Sequence, residues 1–248
     1  MDVSVYLWLG LTSTVGWFFS TLAGGGSSLI LIPVVGHLLG AAVVPPVITV
    51  GGIFGNIERV VAYRQHIRWH LIAWEMPGAL VGACCGAFAL SRLETQWLSV
   101  AIALFLVGSA IGYVARGGAG SFRVQPWYFL PSGFVYALLS GLIGGMGPVL
   151  APFYLNYGLT KEELLATQAT NRAAVHLIKL LAYGFLGILT LPTLGLGVLV
   201  GVAAFPGNLL GQLLLLRISD LQFRRLVTGF VAVSGVLMLW NQRQLFGL

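Results

Sequence analysis

Charged residues are scarce in this sequence. Only 8% of its 248 residues are Asp, Glu, Lys or Arg, whereas 58% are hydrophobic. A soluble domain carries about 25% charged residues, so this composition excludes an ordinary soluble protein. Long apolar stretches with few charges are typical of segments that cross a lipid bilayer. The sequence therefore predicts a polytopic membrane protein with the lipid bilayer as its surroundings.

Cysteine is equally scarce, and the common catalytic motifs are missing. Cys84 and Cys85 are adjacent in one apolar stretch, so they cannot join distant parts of the chain, and no cluster has the spacing of metal ligands. The sequence contains no Gly-x-Ser-x-Gly, no His-Glu-x-x-His and no pair of catalytic carboxylates. We expect neither a metal nor another cofactor, and we do not expect an enzyme.

Basic runs interleaved with aromatic residues are absent too, although the formal net charge is +6. Such runs are typical of nucleic-acid surfaces, so we expect no nucleic-acid partner. The excess of Lys and Arg is typical instead of cytoplasmic loops in membrane proteins. The stretch MDVSVYLW holds an acid and no basic residue, so we expect a retained membrane segment there and not a cleaved signal.

The chain matches itself weakly when it is shifted by 120 residues. The matches include Gly24 with Gly144, Gly25 with Gly145, Arg59 with Lys179, and Tyr63 with Tyr183. They gather at unusual features, namely a glycine break and a cation within an apolar segment. We therefore divide the chain into two transmembrane repeats, residues 1–118 and 119–248.

Each repeat contains five apolar segments. They cover about 4–22, 27–40, 43–64, 70–90 and 96–115 in the first repeat, and 127–143, 148–159, 164–184, 193–216 and 223–241 in the second. A spanning helix needs about 20 residues, and the second segment of each repeat is shorter. We expect an all-α membrane protein with eight to ten segments, in which each repeat has a helix hairpin bent at the glycine break plus three transmembrane helices.

Loop charges predict that the two repeats are inserted in opposite directions. The loop near 64–70 is strongly basic, whereas its equivalent near 185–192 is uncharged. The loop near 91–96 has one base and one acid, whereas its equivalent, RISDLQFRR, has three arginines. Lys and Arg accumulate in cytoplasmic loops, so equivalent loops lie on opposite sides. Inverted repeats with broken helices are typical of secondary transporters, whose sites lie between the repeats.

The glycine breaks predict a site for an anion. In AGGGSSLILIP the glycines precede a helix that we expect to start near Ser27, and free N–H groups at a helix N-terminus favour anions. The second repeat offers a similar loop, IGGMGPVLAP, in which Pro148 suits a first helical turn. Helix packing through small residues is the competing interpretation. The break residues assigned to the site are Gly25, Gly26, Ser27, Ser28 and Gly145.

Cations lie within the third segment of each repeat. Arg172, His176 and Lys179 share one helical face, and Asn56 and Arg59 occupy the positions equivalent to the last two. Ionisable residues inside a membrane usually face a cavity or a partner. Acids are fewer in the apolar segments, where Glu58 and Glu75 are the only two. A bound anion is therefore the simplest neutraliser of the excess charge.

The predicted roles follow from these positions. We expect Arg172 to be the main anion anchor, with Asn171, His176 and Ser27 as orienting donors and with Arg59 and Lys179 as flanking cations. An internal salt bridge is the structural alternative for Arg172. His176 has two interpretations, a proton-coupling site or a plain hydrogen-bond donor.

The stretch GGMGPVLAPFYLNYGLTKEELLATQATN, together with the first glycine break and its apolar run and proline, resembles the TauE/SafE family of sulfite exporters. The resemblance extends over both repeats. It implies a multi-pass transporter of the bacterial inner membrane that carries small sulfur-containing anions such as sulfite, sulfonates and related organosulfur acids. The sequence departs from the family pattern at Met146, Pro148 and Arg172, which favours a larger or more acidic anion.

We therefore expect a secondary transporter that moves a small sulfur-containing oxyanion by alternating access. Two alternatives stay open: an anion channel for the same substrates, and a membrane-embedded enzyme, although the motifs of the latter are missing. Export and import, proton coupling, and a homodimer are all compatible with the sequence.

Overall fold

The chain is described by a computed structural model that covers residues 3–90, 104, 106–108, 110–112, 114–115, 122–146 and 149–241. Ten α-helices occur within these ranges: α1 Val3–Leu22, α2 Ser27–Leu39, α3 Val44–Tyr63, α4 Trp69–Ala89, α5 Phe129–Ile143, α6 Ala151–Tyr157, α7 Lys161–Phe185, α8 Leu191–Val202, α9 Ala204–Leu215 and α10 Asp220–Asn241. The described ranges contain no β-strand. The prediction of an all-α protein is confirmed. Of the predicted segment 96–115, only residues 104, 106–108, 110–112 and 114–115 are described, and they are helical, in addition to the ten helices above.

Among the described residues, four helical stretches are long and apolar enough to cross a membrane. They are Val3–Leu22, Trp69–Ala89, Pro126–Ile143 and Leu191–Leu215. Their outward faces carry large apolar side chains, including the exposed Trp8, Phe88 and Leu213. Helix α2 is apolar but has only 13 residues, which is short for a crossing because a spanning helix needs about 20 residues.

The predicted segment 193–216 is divided into two helices, contrary to expectation. Helix α8 ends at Val202 and α9 begins at Ala204. Pro206 explains the interruption, because proline has no N–H and its ring clashes with the carbonyl group four residues earlier, which belongs to Val202.

The two glycine breaks differ in length. The first covers only the residues between α1 and α2, and α2 begins at Ser27 as predicted. The backbone φ angles of Gly24, Gly25 and Gly26 are +66°, +124° and +108°, values that glycine adopts without steric strain. In the second break, α6 begins only at Ala151. The proline of its first turn is therefore Pro152 and not Pro148, which lies outside the described residues.

Helices from the first and second halves of the chain pack against each other in pairs. Helix α1 packs along α9, α4 along α5, and α3 along α7. The first two pairs approach closely through glycines that leave no room for a β-carbon: a β-carbon at Gly82 would lie 3.0 Å from the backbone nitrogen of Leu138. Small residues allow such approach between membrane helices. The third pair differs, because α3 and α7 bury polar side chains against each other.

Candidate functional site

A small pocket lies between the two glycine breaks and the central helices. Both halves of the chain contribute to its lining, which consists of Trp17, Gly26, Ser27, Ser28, Leu31, Ile48, Gly52, Asn56, Tyr136, Gly145, Met146, Arg172 and His176. Seven of the eleven residues predicted for the site are among them. The remaining four, Gly25, Arg59, Asn171 and Lys179, lie nearby but make other contacts.

Arg172 brings a positive charge to this pocket. Its side chain is only 5% exposed, and its guanidinium carbon lies 5.9 Å from the centroid of the Tyr136 ring. The guanidinium also lies directly against the backbone of Gly25, where an added β-carbon would be 2.6 Å from Nη2. Glycine at this position therefore lets the cation approach the start of α2. The guanidinium and the N-terminal end of α2 both favour an anion there.

The two breaks meet at Ser28 and Gly145. A β-carbon added at Gly145 would lie 2.8 Å from Cβ of Ser28 and 3.2 Å from its hydroxyl oxygen. The missing side chain of Gly145 thus leaves room for the Ser28 hydroxyl group at the pocket. Because α6 has only seven residues and begins well after Gly145, the second break contributes its loop and not a helix N-terminus.

Lys179 is fully buried and holds the end of α5. Its ammonium group donates to Oγ of Ser140 at 3.0 Å and to the carbonyl oxygen of Gly144 at 2.8 Å, and it lies 3.4 Å from Nδ1 of His176. The C-terminal end of a helix carries a partial negative charge, which a cation stabilises. Lys179 therefore holds the start of the second break through its contact with Gly144, on the side away from the pocket. His176 contacts Lys179 and also lines the pocket.

Arg59 binds the end of α1, as Lys179 binds the end of α5. Its guanidinium donates to the carbonyl oxygen of Trp17 at 3.3 Å, to Oγ1 of Thr21 at 2.8 Å and to Oδ1 of Asn208 at 3.0 Å. It also lies 4.8 Å from the centroid of the Trp17 ring, which is a favourable cation–π distance. The side chain is 1% exposed and does not line the pocket.

Asn171 turns toward Glu75, an acid that sequence reasoning left out of the site. The Asn171 amide donates to Oε1 of Glu75, and the hydroxyl of Tyr154 donates to Oε2 at 2.5 Å. Glu75 is fully buried and lies close enough to Arg172 for their charges to interact. Its position inside an apolar segment was the signal that could have identified it.

Three further residues at or near the pocket were not predicted from the sequence, namely Trp17, Tyr136 and Asn208. Trp17 and Tyr136 line the pocket, but Phe, Trp and Tyr make up 12% of the sequence and occur in most of its apolar segments. Asn208 was more conspicuous, as a lone amide after Pro206-Gly207. It binds Arg59 through Oδ1 and the carbonyl oxygen of Gly55 through Nδ2. Asn56 also lines the pocket, and its Nδ2 donates to the carbonyl oxygen of Gly52.

We expect Arg59→Met to destabilise the protein. The change removes the charged donor from Asn208 and Thr21, although Thr21 still donates to Oδ1 of Asn208 at 2.9 Å. A hydrogen bond to a charged group is worth about 1.5–3 kcal/mol. The melting temperature should fall by about 4 °C or more, since 1 kcal/mol corresponds to about 2–4 °C in a protein of this size. Thermal unfolding of the purified protein measures the shift. Arg64→Met, at an exposed arginine just beyond α3, is the matched control, and equal shifts in the two variants would contradict the structural role of Arg59.

Comparison with known proteins finds one family. The family model for the sulfite exporter TauE/SafE matches residues 9–238, a range that contains every residue of the pocket. No curated protein and no solved structure matches the chain significantly.

Proposed function

The chain belongs to the sulfite exporter TauE/SafE family, and we propose that it is a secondary transporter that carries a small sulfur oxyanion through the pocket between the two glycine breaks. Members of this family are membrane transporters of sulfite and related sulfur anions, so the chain is a multi-pass membrane transporter and not an enzyme. Alternating access, the substrate site and a bacterial inner-membrane location are parts of the proposal.

The buried Arg172 at the pocket is the observation that carries this proposal. Three cations are buried in the described part of the chain, namely Arg59, Arg172 and Lys179, against the single fully buried acid Glu75. Arg59 and Lys179 bind the ends of α1 and α5, whereas Arg172 alone of the three lines the pocket. Arginine suits sulfur oxyanions, because its planar fork can donate two parallel hydrogen bonds to neighbouring oxygens.

Hydroxyl and imidazole groups complete the proposed binding surface. Ser27 and Ser28 stand at the start of α2, and His176 is one turn beyond Arg172 on α7. All three line the same pocket. A tetrahedral or pyramidal anion has several oxygens, so donors on different sides of the pocket can bind it together.

The helix pairing supports inverted repeats as the basis of alternating access. A β-carbon at Gly82 would meet the carbonyl oxygen of Phe134 and the nitrogen of Leu138, and one at Gly207 would meet the same atoms of Thr14 and Phe18. The contacted residues correspond under the shift of 120 residues, which relates Thr14 to Phe134 and Phe18 to Leu138, whereas Gly82 and Gly207 are 125 residues apart. Similar packing at the two interfaces is compatible with one repeat rocking against the other around a fixed site.

The inverted orientation predicts the side from which loops are labelled. Single cysteines at Gln65 and Leu186, in a background without Cys84 and Cys85, should react with an impermeant maleimide from opposite sides of the membrane. Both positions are exposed in the structure, so each should be reached without unfolding. Labelling of both positions from the same side would contradict the inverted arrangement.

A counterflow experiment distinguishes a carrier from an anion channel. Liposomes that contain the protein are preloaded with unlabelled sulfite and diluted into labelled sulfite at zero membrane potential. A carrier that alternates between two sides accumulates label transiently above its equilibrium level, whereas a channel only equilibrates it. We expect the transient accumulation, and we expect it to disappear in Arg172→Gln. Labelled sulfite that only equilibrates, at a rate that saturates with sulfite concentration and therefore depends on the protein, would favour the channel.

A further inference from the structure

We propose that Lys179 fixes the imidazole of His176 in the neutral form that carries its proton on Nε2. His176 then serves the pocket as a permanent hydrogen-bond donor and not as a proton carrier. The inference rests on the proposed function, because the group that accepts from Nε2 is the transported anion. It chooses between the two interpretations of His176 that the sequence allows.

The argument starts from the hydrogen-bond capacity of Lys179. A lysine ammonium has three donors and no acceptor. Three groups surround Nζ: Oγ of Ser140 at 3.0 Å, the carbonyl oxygen of Gly144 at 2.8 Å and Nδ1 of His176 at 3.4 Å. Each donor therefore has one acceptor, provided that Nδ1 carries a lone pair.

The tautomer follows from this arrangement. A neutral imidazole has one protonated and one bare nitrogen, so a bare Nδ1 places the proton on Nε2. An imidazolium would direct an Nδ1–H group at the ammonium of Lys179. The opposite arrangement needs a neutral lysine that accepts from Nδ1–H. That form is disfavoured, because a cation is stabilised where Lys179 binds the carbonyl end of α5.

The other ring nitrogen faces the pocket side of the molecule. His176 lines the pocket together with Gly52, and a β-carbon at Gly52 would lie 2.6 Å from Nε2. Among the described residues no side chain or backbone group accepts a hydrogen bond from Nε2. The partner left for this donor is a molecule in the pocket, where Arg172 supplies the charge.

The surrounding charges favour the same form. On its own helix, His176 has Arg172 and Lys179 as charged neighbours. On the helices that contact α7, the charged or titratable groups of the interior are Arg59 and the partly buried Glu58 on α3, Glu75 on α4, Tyr136 on α5 and Tyr154 on α6. Glu75 is engaged by Tyr154 and Asn171. A second proton on His176 would therefore join a predominantly positive environment.

A direct test observes the tautomer without any transport measurement. His37, His66 and His70 are exposed, so their replacement by glutamine leaves His176 as the only histidine. Solid-state NMR of the ¹⁵N-histidine protein in lipid should show a bare Nδ1 and a protonated Nε2 from about pH 5.5 to about pH 8, a range in which free histidine titrates. A protonated Nδ1, or an imidazolium at neutral pH, would overturn the inference.

Lys179→Met in the same background tests the cause. Without the ammonium we expect a mixture of tautomers or titration of the ring within this pH range. An unchanged spectrum in folded protein would show that Lys179 does not fix the imidazole. Should the variant not fold, the spectrum of the unsubstituted Lys179 protein still decides the tautomer.

Two substitutions at His176 distinguish the role of Nε2 from the role of Nδ1. Glutamine can place its amide nitrogen at the position of Nε2, whereas asparagine can place its amide oxygen near Nδ1, where it accepts from Lys179. Calorimetric titration with sulfite should give an affinity within about threefold of wild type for His176→Gln. For His176→Asn we expect a loss of about tenfold or more, as for a hydrogen bond to a charged group.

The two kinds of measurement fail in different ways. Equal or reversed affinities in these variants would overturn the donor role of Nε2, even if sulfite is bound and transported by the wild type. Absence of anion binding by the wild-type protein would instead contradict the proposed function. That result would overturn the donor role of Nε2 as well. The tautomer of His176 is decided separately, by the NMR spectrum.

Discussion

Arg172→Gln should weaken the binding of sulfite by about ten- to a hundred-fold, since a hydrogen bond to a charged group is worth about 1.5–3 kcal/mol. Glutamine retains a donor but removes the charge and the planar fork. Arg172→Lys keeps the charge and loses the fork, so its affinity should lie between those of wild type and Arg172→Gln. Calorimetric titration of the purified variants measures all three affinities.

The structural alternative for Arg172 gives a different pattern. If the residue only balances Glu75, both variants should lose folded protein, and the folded remainder should bind sulfite normally. The structure argues that folding survives, because Glu75 retains hydrogen bonds from Tyr154 and Asn171 when Arg172 is replaced. Wild-type affinity in Arg172→Gln would remove this residue from the site.

Gly25→Leu should abolish transport while folded protein remains in the membrane. The backbone of Gly25 has a φ of +124°, which a leucine adopts only with strain. A β-carbon there would also overlap the guanidinium of Arg172, at 2.8 Å from Cζ. The side chain would therefore displace the cation from the start of α2. Uptake of labelled sulfite into liposomes measures the effect.

Suitable controls lie elsewhere in the chain. Gly195→Leu in α8 introduces the same side chain at a glycine with open space around it and should leave uptake close to normal. Gly145→Leu should act like Gly25→Leu, because its β-carbon would press on Ser28. Near-normal uptake in both break variants would mean that the breaks are spacers between helices and do not form the site.

Much of the helical framework could be predicted from apolar runs and glycines. The start of α2 at Ser27 was predicted because three glycines precede a continuous apolar stretch. The break between α8 and α9 was not, since a proline within an apolar run has no single outcome. Pro77 lies inside the continuous helix α4, whereas Pro206 follows the interruption at Ala203. The local sequence does not determine which of the two occurs, because neighbouring helices can satisfy the freed backbone groups.

The positive charge of the site could be predicted from the sequence, whereas the contacts that its side chains make could be predicted only in part. Arg172 stands out because an arginine inside an apolar segment needs a partner or a cavity. The helical spacing also places Lys179 on the same face, but about two turns of helix separate it from Arg172, and its side chain reaches the end of α5 instead of the pocket. Its contacts with Ser140 and Gly144 depend on the packing of α5 against the centre, which no local pattern in the sequence specifies.

The position of selenite in crystals tests the central proposal most directly. Selenite is the selenium analogue of sulfite, and its anomalous scattering locates it independently of the protein in crystals that contain ordinary methionine. We predict a selenium peak in the pocket, within hydrogen-bonding distance of Arg172 and of Nε2 of His176, and its loss in crystals of Arg172→Gln. A selenium site elsewhere in the membrane region, with the pocket between the glycine breaks empty, would contradict the proposal.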